Sequence, residues 1–418
     1  MRKSHMLFVG IFFFSSLQSV AQSVDVTYEN LRSLLEERNI RLQASRLEQE
    51  AAEERQGSLG RSFLPSLELH GAQEYFQNGN EERKNQPTYG VELKINLFNG
   101  GQDQLESEIR GVSASKKTYQ YLYEASQELQ ELRKLYWQIL YSKEQLELLE
   151  AMIKINTLNL QAALRRIRSG VATESDRVEF EMKAVDLKRE RDEESLRLTT
   201  KIRGLSVLLN YDLKMELKFP AKISHEHDFA SMLQHSPRDH EFLYKDDELQ
   251  GQVSELAAQK QGRVWWPKLD VYAAYNQYNE REKESLPWAE RKESVLGLKM
   301  TMSLSAGFES RREAASLSKQ ALALRKRAHF KKAETEVHMS SELDELKLLH
   351  DQVHDAEENI VRAERYYRLT QSEYARGVKN SPDVLGSAEK LYEAKKKRLE
   401  ITRDFQVAKA HVLAKIGK

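Results

Sequence analysis

The chain has 418 residues, of which 65 are basic and 65 are acidic, so its formal net charge is zero. This balance excludes a nucleic-acid-binding protein that works through an excess of positive charge. The absence of cysteine excludes disulfides, thiolate zinc sites, cysteine nucleophiles and lipidation of an N-terminal cysteine. The low proline content, seven residues in all, favours long helices. By length alone, about two or three compact domains would be expected.

The N-terminus has the pattern of a secretory signal peptide. Two basic residues precede a short apolar run over residues 6–14, and the small residues Ser19 and Ala21 follow it. The run is too short to span a membrane, which takes about 20 residues. We therefore predict that residues 1–21 are a signal peptide. The mature chain would begin near Gln22 and act in the periplasm, in the outer membrane or outside a bacterial cell.

The rest of the chain reads as two copies of one unit. Three residues recur at an offset of 207 positions: Gly170 with Gly377, Val171 with Val378, and Asp176 with Asp383. Self-similarity at a fixed offset indicates one structural unit that is used twice. We predict that residues 22–212 form repeat 1 and residues 239–418 form repeat 2. Residues 213–238 contain prolines and several histidines and are predicted to be a linker that packs beside the helices.

Each repeat is predicted to contain a helix, two strands, a long helix, a tip and a returning helix. In repeat 1 the later elements are strands over about 64–77 and 88–98, a long helix over 101–168, a tip over 169–175 and a helix over 176–210. In repeat 2 they are strands over about 267–278 and 294–305, a long helix over 308–376, a tip over 377–382 and a helix over 383–416.

The long helices have apolar residues at alternating spacings of three and four, among them Leu132, Tyr136 and Ile139. This spacing is typical of a coiled-coil seam. A helix from Gln102 to Arg168 would be about 100 Å long at 1.5 Å per residue. The returning helix would be about half as long, so two short helices stacked end to end would match one long helix.

The four predicted strands alternate apolar and polar residues. The second strand is among the clearest, with Tyr89, Val91, Leu93, Ile95 and Leu97 separated by polar residues or glycine. Runs of about 9 to 11 such residues are typical of transmembrane β-strands, with one face in lipid and the other in water. Four strands alone would leave open edges in lipid, so several copies of the chain would have to contribute. The alternative is a pair of hairpins on a soluble sheet.

Aromatic residues lie just before two of these strands. Phe63, Trp265 and Trp266 are predicted to form a membrane-interface belt against outer-membrane lipid, where amphipathic rings are enriched.

Particular segments carry a resemblance to a known family. Residues 374–378 (Tyr-Ala-Arg-Gly-Val), 383–385 (Asp-Val-Leu) and 97–101 (Leu-Phe-Asn-Gly-Gly) resemble motifs of the TolC family of outer-membrane efflux proteins. The doubled unit behind a signal peptide is similar to the family over essentially the whole mature chain. The resemblance implies a mainly α fold with a small β part. Long α-helical hairpins would form a trimeric α-barrel, and four strands per protomer would contribute to a shared transmembrane β-barrel of about twelve strands.

The resemblance also implies a function. The chain would be the outer-membrane channel-tunnel of a tripartite efflux or type I secretion system, extending through the periplasm. It would be a homotrimer and a passive duct, neither an enzyme nor dependent on a cofactor. A periplasmic adaptor protein and an inner-membrane transporter, proton-driven or of the ABC type, would be its partners. The cargo (drug, metal ion, protein or another compound), the pump and the resting state stay open.

The family's functional residues map onto the two tips. The resemblance implies adaptor contacts at four tip residues, which are Gly170, Val171, Gly377 and Val378. It implies a closing network in which Asp176 pairs with Lys379 and Tyr374, and an acidic ring at the narrowest point formed by Asp383. The simpler alternative is that the glycines are C-caps and the aspartates are N-caps of helices.

Three departures from the family pattern matter. Gly386 stands where well-known members often have a second acidic residue, Lys379 replaces a familiar arginine, and Pro382 lies in the second tip. A second acidic ring is therefore left open.

Other motifs point to no further chemistry. His225, His227, His235 and His240 cluster in the linker, but their spacing matches no metal motif, so no metal site is predicted. No catalytic motif is found, and the basic run over residues 395–398 is interpreted as a solvated helix face rather than a nucleic-acid patch. The alternative function is a non-transporting periplasmic coiled-coil scaffold.

Overall fold

The computed structural model describes residues 24–57, 59–76, 84–220, 222–223, 240–280 and 289–418. The predicted signal peptide and the linker histidines His225, His227 and His235 lie outside this part. The described chain is mostly helical with some strands, as the sequence predicts. None of its helices carries an apolar stretch long enough to cross a membrane.

The helices and strands alternate in blocks along the chain. The helices are α1 (Leu31–Arg38), α2 (Ile40–Arg55), α3 (Gln102–Arg168), α4 (Glu174–Leu208), α5 (Lys245–Gly262), α6 (Ala306–Ala375) and α7 (Ser381–Lys415). The strands are β1 (Val24–Asp25), β2 (Ser66–Phe76), β3 (Lys84–Asn99), β4 (Leu217–Lys218), β5 (Lys268–Glu280) and β6 (Ala289–Thr301).

The described chain divides into two compact units. The hairpin unit comprises the described parts of Met1–Asn39, Leu129–His227 and Lys347–Ala410. The sheet unit comprises those of Ile40–Glu128, Asp228–Leu346 and His411–Lys418.

The sheet unit contains an antiparallel sheet with the strand order β2-β3-β5-β6. One face carries apolar side chains that are exposed in the protomer, such as Leu69, Leu296 and Met300, of which Leu296 is 81% exposed. The other face is polar, and there Lys94 and Asp270 form an ion pair at 3.2 Å. The period of two in the sequence therefore separates one apolar face from one polar face.

A strand-to-helix junction in the sheet unit depends on two glycines. Gly100 and Gly101, between β3 and α3, have φ angles of +60° and +71°, which disfavour any residue with a Cβ atom. The first turn of α3 is held by the Asn96 side chain, whose Nδ2 donates to Asp103 Oδ2 at 2.8 Å. A carboxylate at this position also suits the positive end of the helix dipole.

The hairpin unit is held by an apolar core between helices. Leu149 and Met152 from α3, Leu187 from α4, and Ala388 and Tyr392 from α7 form one buried cluster. Burial of such side chains contributes about 1.5–3 kcal/mol each for the larger ones, so this core stabilises the contact of α3 and α4 with α7.

Candidate functional site

The C-terminal ends of α3 and α6 form the same kind of turn in the hairpin unit. Gly170 and Gly377 have φ angles of +72° and +82°, and no heavy atom lies within 4 Å of where their Cβ atoms would be. The backbone N–H groups of Val171 and Val378 donate to the carbonyl five residues earlier, at 3.0 and 2.9 Å. This is a Schellman-type C-cap. The valines are 60% and 71% exposed, so each tip presents an apolar side chain.

The two predicted aspartates lie at the third position of α4 and α7, where they bond back to the N-cap residues Thr173 and Asn380 in capping boxes. Asp176 Oδ2 accepts bonds from the Thr173 backbone N–H at 2.8 Å and from its hydroxyl at 3.0 Å. Asp383 Oδ2 accepts from the Asn380 N–H at 3.2 Å, and Asn380 Oδ1 accepts from the Asp383 N–H at 3.2 Å. Both aspartates therefore cap helices, which leaves a second role to be decided by their other contacts.

Asp176 also connects the two tips. Ser381, the first residue of α7, lies near the Asp176 carboxylate, and its hydroxyl and backbone N–H both lower the pKa of that carboxyl. The Tyr374 hydroxyl lies 3.2 Å from Ser381 Oγ in a buried position. Either hydroxyl could donate this hydrogen bond. Polar contacts therefore run from α6 through α7 to α4.

These contacts favour a charged Asp176. Burial raises the pKa of its carboxyl, but the hydrogen bonds from Thr173 and the contact with Ser381 outweigh burial, and the pKa lies below its ordinary value. The carboxylate form of Asp176 is thus the one that holds the two tips together.

Arg166 joins the same network from α3. Its guanidinium carbon lies 4.1 Å from the centre of the Tyr374 ring, and its Nη1 donates to the Tyr374 carbonyl oxygen at 2.5 Å. The cation–π contact holds the ring of Tyr374, and the hydrogen bond holds its backbone. Tyr374 therefore bonds to the ends of two helices, α3 through Arg166 and α7 through Ser381.

The predicted network residues are arranged in two sets. Asp176 and Tyr374 are brought together, with Ser381 between them. Lys379 pairs with Asp383 at 3.8 Å within the second tip, and the ion pairs of the described residues do not include one between Lys379 and Asp176. Sequence reasoning missed Ser381 and Arg166. Their only local signals are a serine at the first position of α7 and a basic residue in the last turn of α3.

The predicted belt residues lie in the sheet unit. Phe63 and Trp266 are 42% and 39% exposed, while Trp265 is half-buried and packs against Gly307. The Arg263 guanidinium lies 5.3 Å from the centre of the Trp266 ring. Arginine stacked on an exposed indole pairs a cation with an amphipathic ring at the junction between helices and strands.

Metal binding finds no support in the described residues, where no three His, Asp or Glu side chains come together as a metal site would require.

The chain resembles known proteins in sequence and in fold. The family model described as "Outer membrane efflux protein" matches residues 31–194. The outer membrane protein VceC of Vibrio cholerae is 12% identical, with a TM-score of 0.74 and coverage of 92% of this chain and 95% of that chain. The CmeC outer membrane channel of Campylobacter jejuni is 13% identical, with a TM-score of 0.76 and coverage of 93% and 85%.

A membrane protein from Pseudomonas aeruginosa is 12% identical, with a TM-score of 0.77 and coverage of 93% of this chain and 89% of that chain. At these identities the likeness concerns the fold. A comparison with curated proteins finds no match. The family match over residues 31–194 confirms the resemblance drawn from the sequence motifs: this part of the chain is similar to the outer membrane efflux protein family, and the fold is that of outer membrane channels.

Proposed function

We propose that the chain is a member of the outer membrane efflux family and a passive exit duct that opens and closes at its helical tips. Three copies would assemble, and their strands would form one barrel of about twelve strands in the outer membrane. The helices would continue the duct through the periplasm. A periplasmic adaptor would meet the tips at Gly170, Val171, Gly377 and Val378, and an inner-membrane transporter would supply the cargo and the energy.

The observation that carries this proposal is the network at the tips. Asp176, Ser381 and Tyr374 connect the ends of α4, α7 and α6 by polar contacts, and Arg166 adds the end of α3. A network that joins every helix end at one level of the hairpin unit is suited to hold a constriction closed. A structural core alone would not require polar side chains there.

The strength of the network suits a gate that has to open. Exposed pairs such as Lys379 with Asp383 contribute only about 0–1 kcal/mol each. Three symmetric sets would add up to a modest lock. An adaptor would open it only if it bound the open tips more tightly than the closed ones, since equal affinity for both states shifts no population.

Asp383 would give the constriction its ion preference. Three such carboxylates around a trimer axis would attract cations and repel anions, because like charges in a narrow pore focus the field. The Asp383 side chain also accepts a hydrogen bond that caps α7. A substitution must therefore remove the charge and keep that hydrogen bond.

We predict that Asp383→Asn lowers the cation preference of the channel. Asparagine keeps the size of the side chain and still accepts the bond from the Asn380 N–H, so the cap is retained while the charge is lost. The measurement is the reversal potential and conductance of the reconstituted protein in planar bilayers under a salt gradient. Asp186→Asn, which removes an exposed carboxylate from the middle of α4, is the matched control.

Unchanged selectivity in Asp383→Asn would rule out the acidic ring. A wild-type protein that inserts in bilayers but forms no channel would contradict the duct itself. The cargo and the identity of the pump stay open, because nothing in the described residues forms a site that selects one compound.

A further inference from the structure

Polar contacts link α4 and α7 well beyond the tips. The first is the polar contact of Ser381 with the Asp176 carboxyl, which lowers the pKa of that carboxyl. The second is an ion pair between Lys183 Nζ and Glu389 Oε1 at 2.7 Å, and the third is one between Lys396 Nζ and Glu190 Oε1 at 3.1 Å. These three contacts are called the ladder below. Partner positions increase together along both helices, so α4 and α7 run parallel from the tips.

The contacts repeat at the spacing of a parallel coiled coil. On α4 the ladder residues Asp176, Lys183 and Glu190 are seven positions apart, so successive contacts lie about 10 Å from one another along the helix. On α7, Glu389 and Lys396 are also seven apart. Side chains that flank a coiled-coil seam at this spacing pair across it and set the register of the two helices.

The order of the charges makes the register specific. Lys183 faces an acid and Glu190 faces a base, so the sign alternates from one contact to the next. A slip of α7 by one heptad in one direction would place Lys183 against Lys396. A slip in the other direction would place Glu190 against Glu389. Like charges then oppose each other at one contact in either case. The first slip also brings Glu190 opposite Arg403, so it is penalised less than the second.

The third contact has more hydrogen bonds than the second and lies beside the buried core. Glu190 also accepts a hydrogen bond from the Tyr392 hydroxyl at 2.5 Å, and that hydroxyl accepts one from Gln145 Nε2 on α3 at 2.8 Å. The Tyr392 ring belongs to the buried core with Leu187. By contrast, the Lys183 and Glu389 side chains are 26% and 51% exposed. Exposed pairs are weak, whereas hydrogen-bonded charges beside a core are held firmly.

We propose that the ladder sets the register of α4 on α7 and limits the opening of the tips to the segment between the tips and Glu190. The inference rests on the proposed function in one respect, that opening separates α4 from α7. The tip contact and the Lys183–Glu389 pair would break and re-form with each opening. The Glu190–Tyr392–Gln145 contact would stay in place and act as the fixed point about which the helix ends move.

The test uses charge reversal at the middle contact. Lys183→Glu places two carboxylates together, Glu389→Lys places two ammonium groups together, and the double variant restores an opposite-charge pair. Arg362→Glu is the control, because it makes the same charge change in an exposed pair within α6 alone. In planar bilayers we expect each single ladder variant to raise the conducting fraction about two- to fivefold, and the double variant and the control to match wild type.

A distance measurement keeps the test independent of conduction. The natural chain has no cysteine, so introduced cysteines take spin labels at chosen positions only. One pair, Ala184→Cys with Lys390→Cys, reports at the middle contact, and another, Thr199→Cys with Asp404→Cys, reports beyond Glu190. Labelled chains are diluted with unlabelled ones so that distances within one protomer are read.

We expect Lys183→Glu to lengthen and broaden the 184–390 distance, to leave the 199–404 distance unchanged, and to be reversed by adding Glu389→Lys. Any of three results would contradict the proposed role of the ladder. These are a single variant that leaves the 184–390 distance unchanged, a double variant that does not restore it, and an equal change at both label pairs. If the 184–390 distance lengthens as expected while conduction does not change, the role of the ladder in setting the register is supported and the proposed gate at the tips is wrong.

Discussion

At the scale of single residues, the turns of this chain depend on glycine where a Cβ atom has no acceptable place. Gly100 shows this most clearly. Its φ is +60°, and an added Cβ would lie 2.9 Å from the Trp266 Cβ and 3.3 Å from the Arg263 carbonyl oxygen. Both the backbone conformation and the close approach therefore require glycine at the junction of β3 and α3.

We predict that Gly100→Ala destabilises the protein by at least about 1–2 kcal/mol, the cost of a left-handed conformation in a residue with a Cβ atom. The clash with Trp266 would add to this cost. The unfolding temperature measured by circular dichroism checks the prediction. Gly204→Ala is the matched control: Gly204 lies inside α4, and no heavy atom is within 4 Å of the new Cβ. It should stabilise by about 0.5–1 kcal/mol. Equal effects of the two changes would contradict the account of the junction.

Single residues also show how much of the candidate site can be predicted from the sequence. Asp176 and Asp383 were found because each follows a tip glycine at the same distance in both repeats. Ser381 and Arg166 were not found, since neither belongs to a local motif and each acquires its partner from another helix. The polar network at the tips is therefore only half predictable from the sequence.

At the scale of elements, the contact between α4 and α7 is sensitive to acid. Asp176 and Glu190 both have lowered pKa values, because the hydrogen bonds that they accept outweigh the opposing effect of burial. When the helices separate, Glu190 loses the hydrogen bonds from Tyr392 and Lys396, and its pKa returns toward the ordinary 4.5. Asp176, by contrast, keeps the bonds from Thr173 of its own helix. The separated state therefore binds more protons at Glu190 than the closed one. The contact of Glu190 with α7 is fully stabilising above about pH 5 and weakens as pH falls through the lowered pKa of Glu190.

We predict that the distance between labels at positions 184 and 390 is unchanged between pH 7 and pH 5.5 and lengthens by pH 3.5. Distance is the better readout, since acid protonates other carboxylates in the duct and changes conduction directly. In the double variant Asp176→Asn and Glu190→Gln, which has neither titrating group, the dependence on pH should shrink. A change of the same size in wild type and double variant would show that other groups are responsible.

At the scale of the whole molecule, the open edges of the sheet support the proposed assembly of several copies of the chain. In the described sheet, β2 and β6 each pair with one neighbour, so both present an open edge. The apolar face beside these edges is exposed in the protomer. In lipid, unpaired backbone groups cost several kcal/mol each, so under the proposed function further copies would close these edges.

We predict that the protein fractionates with the outer membrane as a trimer that resists detergent at room temperature and dissociates on heating. Electrophoresis of boiled and unboiled membrane fractions checks this. The same experiment separates the duct from the alternative of a periplasmic scaffold. A chain recovered only from the soluble periplasm would exclude the duct and favour the scaffold.

The sequence by itself determined the mostly helical fold with a few strands and the family resemblance. These features follow from local periodicity and from short motifs, which do not depend on what each element packs against. The tertiary structure alone decided which side chains meet. Lys183 contacts Glu389 and Tyr392 contacts Glu190 across more than 200 residues of chain. Such pairs depend on which helix faces which and in what register, and many charged residues on these helices could have paired otherwise. The network at the tips and the ladder therefore became visible only when α4 and α7 were seen side by side.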